Sequence, residues 1–221
     1  MKLLDLFCGA GGCSAGYARA GFAVWGVDRE YHRDYPYTMI VADVLDLLDD
    51  DAFLATFDAI HASPPCQANT RAKHLRDAQG KTVKEHGADL VAPVRAALER
   101  TGKPYVIENV PGAPMRHDLV LCGSSFGLAV RRHRVFESNV PLGLNPPCNH
   151  DAQGRPVGVY GSLADDIPKG GRTARTLAEA RDAMGIDWMR WADLVEAIPP
   201  AYTEHIGHEL AAYIASTRSD A

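Results

Sequence analysis

Lys2-Leu3-Leu4-Asp5-Leu6-Phe7-Cys8-Gly9-Ala10-Gly11-Gly12 opens the chain as an apolar run, a glycine loop and then, from Ser14 to Ala20, a stretch that reads as a helix ended by Gly21. A strand feeding a glycine turn and a helix is the start of a βαβ unit, which sets the class as α/β with a mostly parallel sheet. Glycines allow the tight turn and let a ligand come close to the backbone. Taken alone, the segment equally fits a glycine-rich β-to-α turn with no ligand.

Working outward, apolar runs at Ala23 to Asp28, Ala59 to Ala62, Tyr105 to Val110 and Leu119 to Cys122 read as further strands, with Arg134 to Glu137 as a sixth. Ala88 to Arg100 reads as an amphipathic helix ended by Gly102. From 138 to 172 the chain is rich in Gly, Pro and polar residues without a sustained period, and reads as a small loop-rich lobe. Leu177 to Met184, Trp191 to Ala197 and Thr203 to Ser216 then read as helices, the last with apolar positions at Ile206, Leu210, Tyr213 and Ile214. The expected organisation is a cofactor-binding and catalytic region over 1–137, a recognition lobe over 138–172, and helices over 173–221 that complete the first region.

With 221 residues, 46% of them hydrophobic, the chain can bury one sizeable core. Five cysteines are an odd number and include no C-x-x-C pair, which fits a reduced compartment. No secretory h-region or membrane-length apolar run is visible, so a soluble, cytoplasmic protein is expected. A formal charge of -5 is unlike a nonspecific nucleic-acid clamp but leaves room for a locally basic groove.

The glycine spacing departs from the dinucleotide pattern G-x-G-x-x-G, and no P-loop lysine follows. Asp28 ends the second strand, where a carboxylate can accept from ribose hydroxyls, and Asp43 could serve an adenine edge. Together they favour an adenosyl cofactor without a phosphate tail.

Ser63-Pro64-Pro65-Cys66-Gln67 follows a strand, so Cys66 is expected beyond the C-terminal sheet edge, its approach stiffened by two prolines. Glu108-Asn109-Val110 ends another strand, where partial burial raises a carboxyl's pKa. A thiolate beside a protonatable glutamate suits addition to an electron-poor ring. Arg131-Arg132-His133-Arg134 is a basic cluster in which strand alternation would send Arg132 and Arg134 to one face. Such guanidiniums could polarise a ring carbonyl or hold a phosphate, and a solvated strand end fits the cluster as well. Cys148 and His150 read as loop residues, because no second pair stands at zinc-ligand spacing and no metal is expected. Cys8, Cys13 and Cys122 read as small core residues.

The ordered set of Asp5 to Gly12, Pro64-Pro65-Cys66-Gln67, Glu108-Asn109-Val110 and Arg132-x-Arg134 resembles the DNA cytosine-C5 methyltransferase family. Thr176 to Arg181 with Met184-Gly185, and Ala201 to Gly207, look like the family's later motifs, so the resemblance covers most of the chain outside 138–172. It implies a Rossmann-like methyltransferase fold using S-adenosylmethionine, held by Asp5, Phe7, Gly9, Gly11, Asp28, Asp43 and Pro64. It also implies that Cys66 attacks C6 of a cytosine flipped out of DNA. Glu108 would engage N3 and Arg134 the O2 carbonyl, with Arg132 supporting and Asn109 positioning Pro64. The expected partner is cytosine-containing DNA, and the protein is expected to be a monomer. The same chemistry on RNA, single-stranded DNA or a free cytosine nucleotide, or a silent DNA-binding relative, are the alternatives.

Two features depart from the family. Val130 stands where glutamine is usual, and the recognition segment is much shortened, which implies a brief, relaxed or absent sequence readout. Arg71, Lys73, Arg76, Lys81 and Lys84, against Asp77 and Glu85, fall where the resemblance implies a mobile catalytic loop whose cations could meet phosphates.

Overall fold

The computed structural model describes residues 1–65, 90–161, 166–167 and 171–219. Ten described strands are β1 (Lys2–Leu6), β2 (Ala23–Asp28), β3 (Thr38–Val41), β4 (Ala59–Ala62), β5 (Tyr105–Asn109), β6 (Leu119–Leu121), β7 (Arg134–Ser138), β8 (Val157–Gly158), β9 (Asp166–Ile167) and β10 (Gly171–Thr173). The helices are α1 (Gly12–Arg19), α2 (Val44–Leu47), α3 (Asp51–Ala55), α4 (Val91–Arg100), α5 (His150–Gln153), α6 (Leu177–Met184), α7 (Trp191–Leu194) and α8 (Pro200–Ser219). Among the described residues no helix is long and apolar enough to cross a membrane.

The main sheet runs β3-β2-β1-β4-β5-β7-β6. It is parallel from β3 to β5, and β7 is antiparallel to both β5 and β6. The chain leaves β1 toward β2 on one side and returns as β4 on the other, so the switch point lies between β1 and β4. Open α/β sheets bind ligands there, outside the carboxyl ends of the strands.

Side chains alternate across the sheet with period two, and each face has its own core. Leu3, Ala59, Val106 and Phe136 face α1 and α8 together with Tyr17, Tyr202, Ile206 and Leu210. Leu4, Leu6, Ile60, Ala62 and Ile107 face α2 to α4 with Leu48, Leu54, Phe57, Val94 and Leu98. Burial on both sides explains why the central strands read as nearly continuous apolar runs.

The six strands expected from sequence form within a residue or so of their anticipated bounds. β3 is an addition, since Thr38-Met39-Ile40-Val41 is brief and half-exposed, and pairing with β2 rather than a buried pattern makes it a strand. Within 138–172, which reads as loop, short strands β8 and β9 pair with β10, parallel and antiparallel respectively. Two- and three-residue strands carry too few residues to show a period. The helix read over Trp191 to Ala197 is shorter, ending at Leu194, whereas α8 extends the anticipated helix at both ends.

Candidate active site

Every expected site residue that the structure describes on β1, β2, β4 and β5 lies at or just past the carboxyl edge. Leu6 runs into Phe7, whose φ of 59° is left-handed. Among the described residues only Phe7 and Arg132 take a positive φ without being glycine. Such backbone costs about 1–3 kcal/mol and persists only where its surroundings fix it. Gly9 follows at φ 48° with no atom within 4 Å of where a Cβ would stand, so the loop presents bare backbone to open space. Its N–H donates to Asp28 Oδ2 at 3.0 Å, which ties the loop to the end of β2.

Asp43 is exposed and caps α2, accepting from the Leu45 N–H at 2.9 Å. Its carboxylate thus remains on the same edge as Asp28, one strand farther out.

Asp5 is fully buried beneath this loop. Ser14 Oγ donates to its Oδ2, while Oδ1 has no hydrogen-bond partner. Burial pushes its pKa up to about 7, and the charges of Asp28 and Glu108 add to the rise against the Ser14 bond. Three carboxyl groups therefore share one field, in which each that ionises opposes a phosphate and favours a cationic or N–H-donating ligand.

β4 contributes His61 next to Asp5, since the two are register partners. Sequence reading passed over His61, although a lone polar residue in Ala59-Ile60-His61-Ala62 is the available signal. It is fully buried, with Nδ1 2.9 Å from Tyr17 Oη and Nε2 2.9 Å from Ser63 Oγ. Burial lowers its pKa to about 3, so the ring is neutral. Ser63 also opposes the burial-driven rise at Glu108, which extends this buried polar chain to the next strand.

Glu108 is 5% exposed, and burial raises its pKa against the opposing pull of Arg134. Glu108 pairs in register with Phe136 on antiparallel β7, so Arg134, two residues before Phe136, comes out diagonally on the same face. Arg134 Nε lies 3.0 Å from Glu108 Oε1. On the other side of β5, Asn109 Nδ2 donates to the Pro64 carbonyl at 3.0 Å, and Asn109 Oδ1 accepts from the Val110 N–H at 2.9 Å. Cys66, and the basic stretch from Arg71 to His86, lie outside the described residues.

The expectation that Arg132 and Arg134 share a strand face is corrected. β7 begins only at Arg134, and Arg132 stands before it at φ 35°. Its guanidinium is buried and donates to the carbonyls of Ala197 at 2.6 Å, Val159 at 2.7 Å and Val195 at 3.0 Å. Burial lowers its pKa to about 10, which leaves it cationic at neutral pH. Val130 is buried among Ala10, Val157 and Met184. Polar support for its segment comes from Gln153, which donates to the Leu128 and Val130 carbonyls and accepts from Arg131 Nε. Tyr202 Oη, on α8, donates to the Arg132 carbonyl at 2.9 Å.

A family model for C-5 cytosine-specific DNA methylases matches residues 1–119, more than half of the chain. The chain belongs to that family. Among curated relatives of this methylase, the Type II methyltransferase M.FnuDI of Fusobacterium nucleatum is 32% identical over 125 residues, which is 51% of the chain and 33% of that protein. The Type II methyltransferase M.AgeI of Thalassovita gelatinovora is 26% identical over 221 residues, 83% of the chain and 50% of the relative. The methylase chain thus spans half or less of the length of these two relatives. Two solved structures share its fold. One is a candidate DNA modification methyltransferase encoded within an E. coli prophage, with TM-score 0.65 at 16% identity over 96% of this chain and 99% of the other. The second is a Spodoptera frugiperda DNMT2 variant, with TM-score 0.60 at 14% identity over 96% and 99%.

Proposed function

We propose that this chain transfers a methyl group from S-adenosylmethionine to C5 of a cytosine flipped out of DNA. One arrangement carries the reading: at the end of β5, Glu108 meets Arg134 while the next residue, Asn109, holds the Pro64 carbonyl two residues before Cys66. The Pro64 carbonyl, the Glu108 carboxyl and the Arg134 guanidinium thereby meet at one sheet edge.

The cofactor fits the residues on the same edge. The bare backbone at Gly9, the carboxylates of Asp28 and Asp43, and the unpaired Asp5 Oδ1 suit a cationic adenosyl compound with hydroxyl and amine donors and no phosphate. Phe7, Gly11 and Pro64 would complete that pocket. S-adenosylmethionine supplies an electrophilic methyl group when bound.

Cys66 would attack C6 as the thiolate, forming the S–C6 bond. Protonated Glu108 would hydrogen-bond N3, and Arg134 would hold the O2 carbonyl, so the negative charge of addition spreads toward C5. C5 then takes the methyl group, a base removes the C5 proton, and elimination breaks the S–C6 bond to return Cys66. Arg132 would act by positioning, through the carbonyls it binds. The segment 138–172 would supply a reduced recognition lobe.

The test is covalent trapping. Duplex DNA containing 5-fluorocytosine, incubated with S-adenosylmethionine and the protein, is expected to give a stable adduct that Cys66→Ala abolishes. A fluorine at C5 blocks the proton loss that elimination requires. Failure to form an adduct in any cytosine context on duplex DNA, single-stranded DNA or RNA would overturn the chemistry, and an adduct on RNA alone would overturn the DNA assignment.

A further inference from the structure

We propose that Cys122, His133, Cys148 and His150 form a structural tetrahedral zinc site that fastens the lobe to the strand carrying Arg134. Cys122 follows β6, His133 immediately precedes β7, and Cys148 and His150 close the return path from β7 into α5. Sequence spacing shows no second pair for Cys148 and His150, because their partners stand 15 and 28 residues away; the fold supplies them.

One ligand atom from each of the four lies within 4.8 Å of the other three. Cys122 Sγ is 3.3 Å from His150 Nε2, and Cys148 Sγ is 3.4 Å from His133 Nε2. With Zn–S near 2.3 Å and Zn–N near 2.0–2.1 Å, the sulfur-to-nitrogen edge of a tetrahedron is roughly 3.5 Å. Both histidines turn the same nitrogen inward, and their rings stand nearly perpendicular at 84° with centroids 5.2 Å apart. Two thiols and two imidazoles are the donor set of a closed structural zinc site, and soft sulfur with borderline nitrogen excludes calcium and magnesium as occupants.

The surroundings need such a fastening. Residues 139–149 contain neither helix nor strand, and α5 is a single turn. Cys122 is fully buried while Cys148 is exposed, so the site would stand at the surface with one firm anchor in the core. Ser124 Oγ lies 3.1 Å from Cys122 Sγ and accepts from the Asn149 N–H at 3.1 Å, which links the two cysteine-bearing segments around the proposed ion. Binding would release the thiol protons to solvent, leaving two thiolates that neutralise the dication. Because His133 sits between Arg132 and Arg134, the ion would also fix where the arginine segment enters β7.

The methyl-transfer reading is not needed for this site, and metal content is measured without substrate. The full chain, purified without chelator after growth with zinc, is expected to carry about one zinc per molecule by elemental analysis. Cobalt exchanged into the site should show the visible bands of a tetrahedral ion and thiolate charge transfer. Cys148→Ser and His150→Ala should each reduce zinc content at least about tenfold, whereas Cys66→Ser, outside the cluster, should retain it. A zinc-free wild-type protein that takes up no cobalt would overturn the proposal whatever the variants do. So would full metal content in both cluster variants, which would move the ion elsewhere.

Discussion

Asp5 and Glu108 are both buried carboxyls, yet they make different predictions. Asp5 has a native pKa of about 7 against an ordinary 3.8, so between those values the folded protein binds a proton that the unfolded chain has lost. Stability therefore falls as pH rises from about 4 through about 7, by up to on the order of 4 kcal/mol. Asp5→Asn keeps an acceptor for Ser14 and should remove that slope in urea unfolding series; parallel slopes in the two proteins would refute the role assigned to burial. For Glu108, the proposed mechanism uses the protonated form. Its raised pKa predicts that trapping slows as pH climbs through it, and Glu108→Gln should lower the rate about 10²–10⁴-fold and abolish that limb. Single-turnover rates across pH compare the two directly.

Element contacts explain why a good helix former fails at one place. Gly16 lies inside α1, where alanine would normally gain up to about 1 kcal/mol in propensity. Here a Cβ would stand 2.1 Å from the Pro200 carbonyl oxygen and the same distance from Thr203 Oγ1. Those atoms belong to the first turn of α8, and backbone cannot yield cheaply. Gly16→Ala is expected to destabilise by about 1–3 kcal/mol despite its propensity, as a lowered Tm. The main strands are legible as short apolar runs because both sheet faces are covered, and α6 because its burial recurs every three or four residues. By contrast, β3 and β8 to β10 are too short to display a period, and only pairing with neighbours fixes them.

For the whole molecule, Arg132 is the residue whose surroundings matter most. Its fork joins the lobe at Val159 to the C-terminal region at Val195 and Ala197, and its ring neighbour is Tyr160, with the guanidinium 5.0 Å from the centroid. A lysine ammonium cannot span these carbonyls in the same plane. Arg132→Lys should therefore loosen both segments together, with about 1–3 kcal/mol lost and faster amide exchange across 157–161 and 191–198 than in β1 or β4. Unchanged exchange there would show that Arg132 does not hold them.

Glycine placement, apolar runs alternating with helical stretches and the ordered motifs determine, from sequence alone, an α/β member of the methylase family with its loop, Asp28, Glu108 and Asn109 at one sheet edge, because each signal is local to a strand or the turn after it. Tertiary structure alone decides that Arg132 is a buried clamp rather than a strand neighbour of Arg134, since the carbonyls it binds stand 27 to 65 residues away in the chain. It likewise joins His61 to Tyr17 and Ser63, and brings Cys122 and His133 to Cys148 and His150. Residues that meet only when the chain returns to the same place leave no period or spacing behind, and their chemistry comes into being with the fold.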